Sequence, residues 1–207
     1  MTKADRYAAA GVKLDVADEA KRRIAELARG TRTPLARGQI GGFGGMVRVP
    51  DGYTLARKIV FELMKLGIDD PFPETGQSVA QVLLAIHWSY AAALRPVLGI
   101  VHALAHVTGG GIPGNLVRVL PPGTVAVVDA GSWPWPALFR VLMRGGQVGR
   151  DEMRRVFNLG IGMIAVAARD DVEALVRAAH RAQVQTWVIG EIRAGKGASP
   201  AVRFEER

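Results

Sequence analysis

The chain has 207 residues, enough for one domain with a real core, or one domain and a fragment. Hydrophobic residues make up 49% and aromatics 6%, so the core is built from Ala, Val, Leu and Ile; with no cysteine, disulfides, thiolate catalysis and Cys-ligated zinc are excluded. The net charge of +8 (pI near 10.4) is spread out, with no Lys/Arg block of five and no helix-turn-helix, RRM or KH signature, which argues against a nucleic-acid partner.

The opening, MTKADRYAAAGVKLDV, has no apolar stretch of the secretory kind, and the apolar runs elsewhere are broken by charges or glycines well short of a membrane span. The expectation is a soluble, cytoplasmic protein with no membrane partner.

Residues 15–29, DVADEAKRRIAELAR, carry Val16, Ala20, Ile24 and Leu27 at helical spacing, with Asp15 as a cap and Gly30 as a stop. A glycine-dense loop follows over 33–53, TPLARGQIGGFGGMVRVPDGY, and leads into an apolar segment of strand character. YTLARKIVFELMKLG, 53–67, reads as an amphipathic helix closed by Gly67. The two prolines and the acids of IDDPFPETG, 68–76, make a turn-rich connector. Residues 78–95, SVAQVLLAIHWSYAAALR, read as one mostly apolar helix.

Beyond residue 120 strands and helices alternate. TVAVVD (124–129), IGMIAVA (161–167) and TWVIGEI (186–192) read as strands; PALFRVLMRGG (136–146), DEMRRVFN (151–158) and RDDVEALVRAAHRAQ (169–183) read as helices. The tail, RAGKGASPAVRFEER, is polar and expected to be loosely held. This alternation predicts an α/β or α+β class, a mixed sheet packed against helices, without internal repeats.

The least generic stretch is HALAHVTGGGIPGNLVRVLPPG, 102–123. Thr108, Gly109, Gly110 and Gly111 allow close backbone approach to a ligand, and a helix starting near Asn115 would add unpaired amides for an anion. The same glycines also suit a flexible turn, and no Gly-Lys-Ser/Thr follows to make a Walker loop. His102 and His106 are spaced to share a helix face, yet no acid or cysteine nearby completes a zinc set, so no metal site is expected. His106 either contacts what the glycines hold or is a hydrogen-bonded structural residue. His180 sits on a solvated helix. Asp129 before Ala130-Gly131 reads as a turn former, and SWPWPALF as a rigid corner that packs Trp133 and Trp135. Asn158, Gly160 and Gly162 stand at a strand entrance, where glycines indicate close backbone approach.

In this order and spacing, HALAHVTGGG…NLVRVLP, SWPWPALFRVL, EMRRVFNLGIGM and WVIGEI closely resemble the C-terminal half of the phosphoribosylformylglycinamidine cyclo-ligase (AIR synthase) family. YAAAGVKLDVADEAKRRIAELARGTRTP…IGGFGGMVRVPDGY resembles the family's opening helix and glycine-rich loop. The resemblance implies two parts: 1–52, a remnant of the N-terminal domain, and 53–207, an AIR-synthase C-terminal-like domain.

The departures are equally specific. The family's Gly-Thr-Asp-Gly-Val-Gly-Thr-Lys and Gly-Gly-Glu-Thr-Ala-Glu-Met stretches are not in this sequence. Asp51-Gly52-Tyr53 looks like a splice point, since the family has a Gly-Tyr on both sides of the missing piece. The family's Ala-Pro-Thr-Arg-x-Tyr run is AIHWSY at 85–90, with Thr and Arg replaced by His87 and Trp88. Glu-Asn-Ile-Pro becomes Gly114-Asn115-Leu116-Val117.

For function, the resemblance implies ATP-dependent ring closure of formylglycinamidine ribonucleotide to aminoimidazole ribonucleotide in purine biosynthesis, with ATP and Mg²⁺ as cofactors. The alternative is a noncatalytic homologue that binds a ribonucleotide phosphate or a full-length partner. By resemblance Thr108, Gly109, Gly110, Gly111 and Asn115 hold the substrate phosphate, and His106 and Asn158 line the cleft. The family's homodimer contact lies in the missing sheet and is expected to be lost. The strand that opens the family's second domain is also missing, and IGGFGGMVRVP, 40–50, is expected to replace it at the open sheet edge.

Overall fold

The computed structural model describes residues 36–37, 46–47 and 51–206. The chain divides into two compact units, Met1–Val49 and Pro50–Arg207. In the first, β1 (Ala36–Arg37) and β2 (Met46–Val47) form an antiparallel ribbon with Ala36 opposite Val47. The helix expected over 15–29 lies outside the described residues, as does most of the substitute strand expected over 40–50. The described part of that strand, Met46–Val47, has Ala36–Arg37 as its ladder partner.

The second unit begins with α1 (Asp51–Arg57), which widens into a π-helix over Lys58–Leu63. The widening is visible in the bonds: Met64 donates to the Ile59 carbonyl at 2.8 Å, five residues back, instead of four. Ile59 and Val60 are fully buried there. The connector then leads to α2 (Val79–Leu83), opened by a reciprocal capping box. Ser78 Oγ accepts from the Gln81 amide at 3.3 Å, and Gln81 Oε1 accepts from the Ser78 amide at 2.9 Å.

The single helix expected over 78–95 is not formed. α2 stops at Leu83, and residues 85–90 run without regular structure before α3 (Ala91–Leu94), which continues as a 3₁₀ turn over Arg95–Ile100. Ile86, His87 and Trp88 are weak helix formers, and Leu84, Ile86 and Trp88 are exposed. Tertiary contacts of His87 and Tyr90 turn this segment out of helical register.

β3 (Val101–His106) corrects a second expectation, because His102 and His106 stand on a strand and not on a helix. It pairs antiparallel with β5 (Met163–Ala167), with His106 opposite Met163. Between them lie α4 (Gly111–Leu116), β4 (Thr124–Asp129), α5 (Ala137–Gly145) and α6 (Arg150–Val156). After β5, a 3₁₀ turn over Arg169–Asp171 leads into α7 (Val172–Arg181).

The last strand begins later than the sequence suggests, at β6 (Gly190–Ala194), with 184–189 irregular. The tail is not loose: β7 (Ala201–Glu205) runs parallel to β4, while β6 runs antiparallel on β4's other side. β4 is therefore central in the order β6-β4-β7, which explains why Ala126, Val127 and Val128 are all buried. This mixed sheet and the β3–β5 pair pack against helices around one core, with Phe72, Val79, Val107, Leu142, Met153 and Leu159 nearly or fully inaccessible. A cavity of about 600 Å³ is lined by β4, β5, β6 and α7. Among the described residues, no helix is long and apolar enough to cross a membrane.

Candidate functional site

The glycine loop joins β3 to α4, and its conformation follows from what it packs against. Gly110 (φ +96°) and Gly111 (φ +59°) both lie in the left-handed region. A Cβ on Gly111 would lie 2.0 Å from the Arg154 carbonyl oxygen and 2.9 Å from that of Phe157, so α4 starts directly on the C-terminal end of α6. The Gly111 amide donates to the Thr108 carbonyl at 3.2 Å, closing the turn.

Asn115 is the one polar residue in the buried set. Its Nδ2 donates to the carbonyls of Gly111 at 2.8 Å and Gly109 at 3.3 Å. Gly111 and Asn115 are thus committed to shaping the loop. Thr108 and Gly110 are exposed, and the amides of Gly109 and Gly110 make no backbone hydrogen bond among the described residues.

Thr108, Gly109 and Asn158 come together in one open hollow of about 260 Å³, walled by Gly52, Tyr53, Phe139 and Phe157. Asn158 faces it from the turn after α6, where its Oδ1 accepts from the Gly160 amide at 3.1 Å. His106 is not part of this wall. It ends β3 beside His87, with the two Nε2 atoms 3.3 Å apart. Asp129 forms the expected turn, its Oδ1 accepting from the Gly131 amide at 2.9 Å. Trp133 is buried, its Nε1 donating to the Leu159 carbonyl at 2.9 Å.

Against known proteins, residues 57–203 match the family described as AIR synthase related protein, C-terminal domain. The chain belongs to this family. It is similar to proteins named phosphoribosylformylglycinamidine cyclo-ligase. The one from Sorangium cellulosum (strain So ce56) is 42% identical over 161 residues, covering 76% of this chain and 45% of that protein. The one from Anaeromyxobacter dehalogenans (strain 2CP-1) is 42% identical over 168 residues, covering 79% and 48%. The one from Geobacter sulfurreducens is 42% identical over 144 residues, covering 69% and 41%. The chain spans less than half the length of these relatives.

A solved structure of thiamine-monophosphate kinase from Stenotrophomonas maltophilia K279a shares the fold, with TM-score 0.50 and 22% identity over 77% of this chain and 48% of that one. That likeness concerns the fold alone.

The donor set of this AIR synthase related domain does not fit the family's Mg²⁺. Among the described residues no group of three or more His, Asp or Glu side chains is placed to hold a metal ion. Glu74, Asp151, Glu152, Glu173 and Glu206 are each engaged by arginines. No phosphoryl-transfer step is therefore assigned to these residues.

Sequence reasoning did not single out Tyr53 and Phe157 as walls of the hollow, since neither carries a motif of its own. It noted His87 and Tyr90 only as a departure from a family pattern. Gly162, singled out as a point of close approach, explains both. A Cβ there would lie 2.1 Å from Tyr90 Oη and 2.9 Å from His87 Cε1, so the missing side chain makes room for these two rings. Burial against this segment pushes the Tyr90 phenol above its ordinary pKa.

Proposed function

We propose that this domain is the substrate-phosphate half of a cyclo-ligase and holds the phosphoribosyl end of formylglycinamidine ribonucleotide in the hollow beside the glycine loop. The observation carrying this reading is the meeting of Thr108, Gly109 and Asn158 in one open hollow, in a chain 42% identical to proteins named phosphoribosylformylglycinamidine cyclo-ligase. The Thr108 hydroxyl and the amides of Gly109 and Gly110 donate to the phosphate oxygens. Gly111 and Asn115 keep the loop in the shape that exposes those donors. Tyr53 and Phe157 supply apolar walls for the sugar, and His106 stands at the neighbouring strand end.

In this reading residues 1–52 are a remnant of the family's ATP-binding domain, and the chain is a monomer because the inherited dimer contact is lost. Holding the ribonucleotide without turning it over is favoured by the engagement of the domain's carboxylates with arginines, which supplies no ready Mg²⁺ cage.

Calorimetric titration with formylglycinamidine ribonucleotide and, separately, with ATP–Mg²⁺ tests the reading. Ribonucleotide binding alone supports a binding half-site. Binding of both extends the reading to ATP-dependent ring closure. No ribonucleotide binding, or binding unchanged in Thr108→Val, overturns it.

A further inference from the structure

Away from the hollow, two imidazoles meet nitrogen to nitrogen. His106 closes β3, and His87 comes from the irregular segment nineteen residues earlier; their Nε2 atoms are 3.3 Å apart, with ring planes inclined at 53°. His87 Nδ1 lies 3.1 Å from the Trp88 carbonyl oxygen. A carbonyl only accepts, so Nδ1 carries the proton and the His87 Nε2 lone pair faces His106. Metal-binding histidines are oriented in this way, with the second ring nitrogen pinned by a carbonyl or carboxylate.

The spacing is also that of a shared ion. Two nitrogens each about 2.0–2.1 Å from a tetrahedral Zn²⁺ lie about 3.3–3.4 Å apart, so a metal enters without moving either ring. The rings are held there by their surroundings. Gly162 leaves the space His87 Cε1 occupies, and Tyr90 meets His87 edge-on at 5.6 Å between centroids. Both histidines are exposed, which leaves room for water to complete the coordination.

We propose that His87 and His106 form a two-nitrogen site for a divalent transition-metal ion of the Zn²⁺ or Cu²⁺ class. Imidazole suits these ions, whereas Mg²⁺ demands oxygen ligands, so the site is separate from any nucleotide-bound Mg²⁺. It does not rest on the ribonucleotide reading. Without metal, the pair is joined by an N–H···N hydrogen bond from His106; the metal takes the place of that proton.

The test is calorimetric titration of the tag-free, chelator-treated chain with ZnCl₂ near neutral pH, with Cu²⁺ electron paramagnetic resonance in parallel. The expected result is one equivalent bound and a Cu²⁺ spectrum split by two ring nitrogens. His87→Gln and His106→Gln should each weaken binding by about tenfold or more, while His180→Gln leaves it unchanged. Circular dichroism confirms that the variants are folded; both altered side chains are exposed, so the core is untouched. No heat up to millimolar Zn²⁺, or affinity unchanged in His87→Gln, overturns the proposal and leaves a simple histidine–histidine hydrogen bond.

Discussion

The buried amide of Asn115 donates to the carbonyl of Gly111, four residues back, at 2.8 Å and so clamps the start of α4 onto the glycine loop. The same nitrogen reaches Gly109 at 3.3 Å. One side chain therefore fixes both ends of the turn that exposes the amides of Gly109 and Gly110.

Asn115→Ala leaves two carbonyls short of a donor in a site closed to water, and should cost about 1–3 kcal/mol of stability. Asn115→Asp should cost more, since a carboxylate offers acceptors where donors are required. Denaturant melts of the three proteins check this. An Asp variant as stable as the parent would show that the amide is not the clamp.

Arg154 ties the tail to the body of the domain. Its guanidinium reaches Glu206 at 3.1 Å and Asp151 at 3.1 Å, and lies 5.0 Å from the centre of the Phe204 ring. Its side chain is only 10% exposed, so the stacking is largely shielded, although Glu206 itself is open to solvent. Arg154→Ala should cost roughly 1–2 kcal/mol and speed amide exchange in Ala201–Glu205 more than in β4. Equal exchange rates in the two proteins would contradict the anchoring role.

Trp133 spans the corner before α5. Its indole donates to the carbonyl of Leu159, a nearly inaccessible residue with φ +53°. Trp133→Phe keeps an aromatic ring but removes the donor, and should cost about 1–3 kcal/mol. The loss should appear as a lower denaturation midpoint with an unchanged slope. A midpoint equal to the parent's would mean that packing alone holds this corner.

Tyr90 sets an alkaline limit. Burial raises its pKa above 10.0, so the folded state holds the phenolic proton more tightly than the unfolded state does. Its contribution is fully present below the unfolded pKa and is lost as pH rises through the folded one. Stability should thus fall above about pH 10, and Tyr90→Phe should flatten that part of the profile. A parallel decline in both proteins would assign the alkaline loss to other groups.

Local chemistry was legible where it was self-sufficient. TVAVVD announced a strand buried on both faces, and the amphipathic runs over 136–146, 151–158 and 169–183 became helices within a few residues of their expected ends. Asp129 gave its turn and Trp133 its packed corner for equally local reasons. The strand VHALAH was missed because an i, i+4 histidine pair suits a helix face as well as a strand face. Only pairing with Met163–Ala167 resolves the ambiguity. The tail was misread because its polar composition says nothing about an open edge on β4 waiting for a parallel strand.

By itself, the sequence determined the family, the mixed α/β class and the glycine loop as the most distinctive feature, because residue identity and spacing carry these directly. The tertiary structure decided which residues of that loop are free and which are structural. It set Gly111 against the end of α6 and turned the Asn115 amide inward, contacts made across sequence separations that no local pattern encodes. It also brought His87 to His106 across nineteen residues, through the space Gly162 leaves empty. Such pairings arise when separate segments bury their apolar faces against one core, and that packing fixes which polar groups meet.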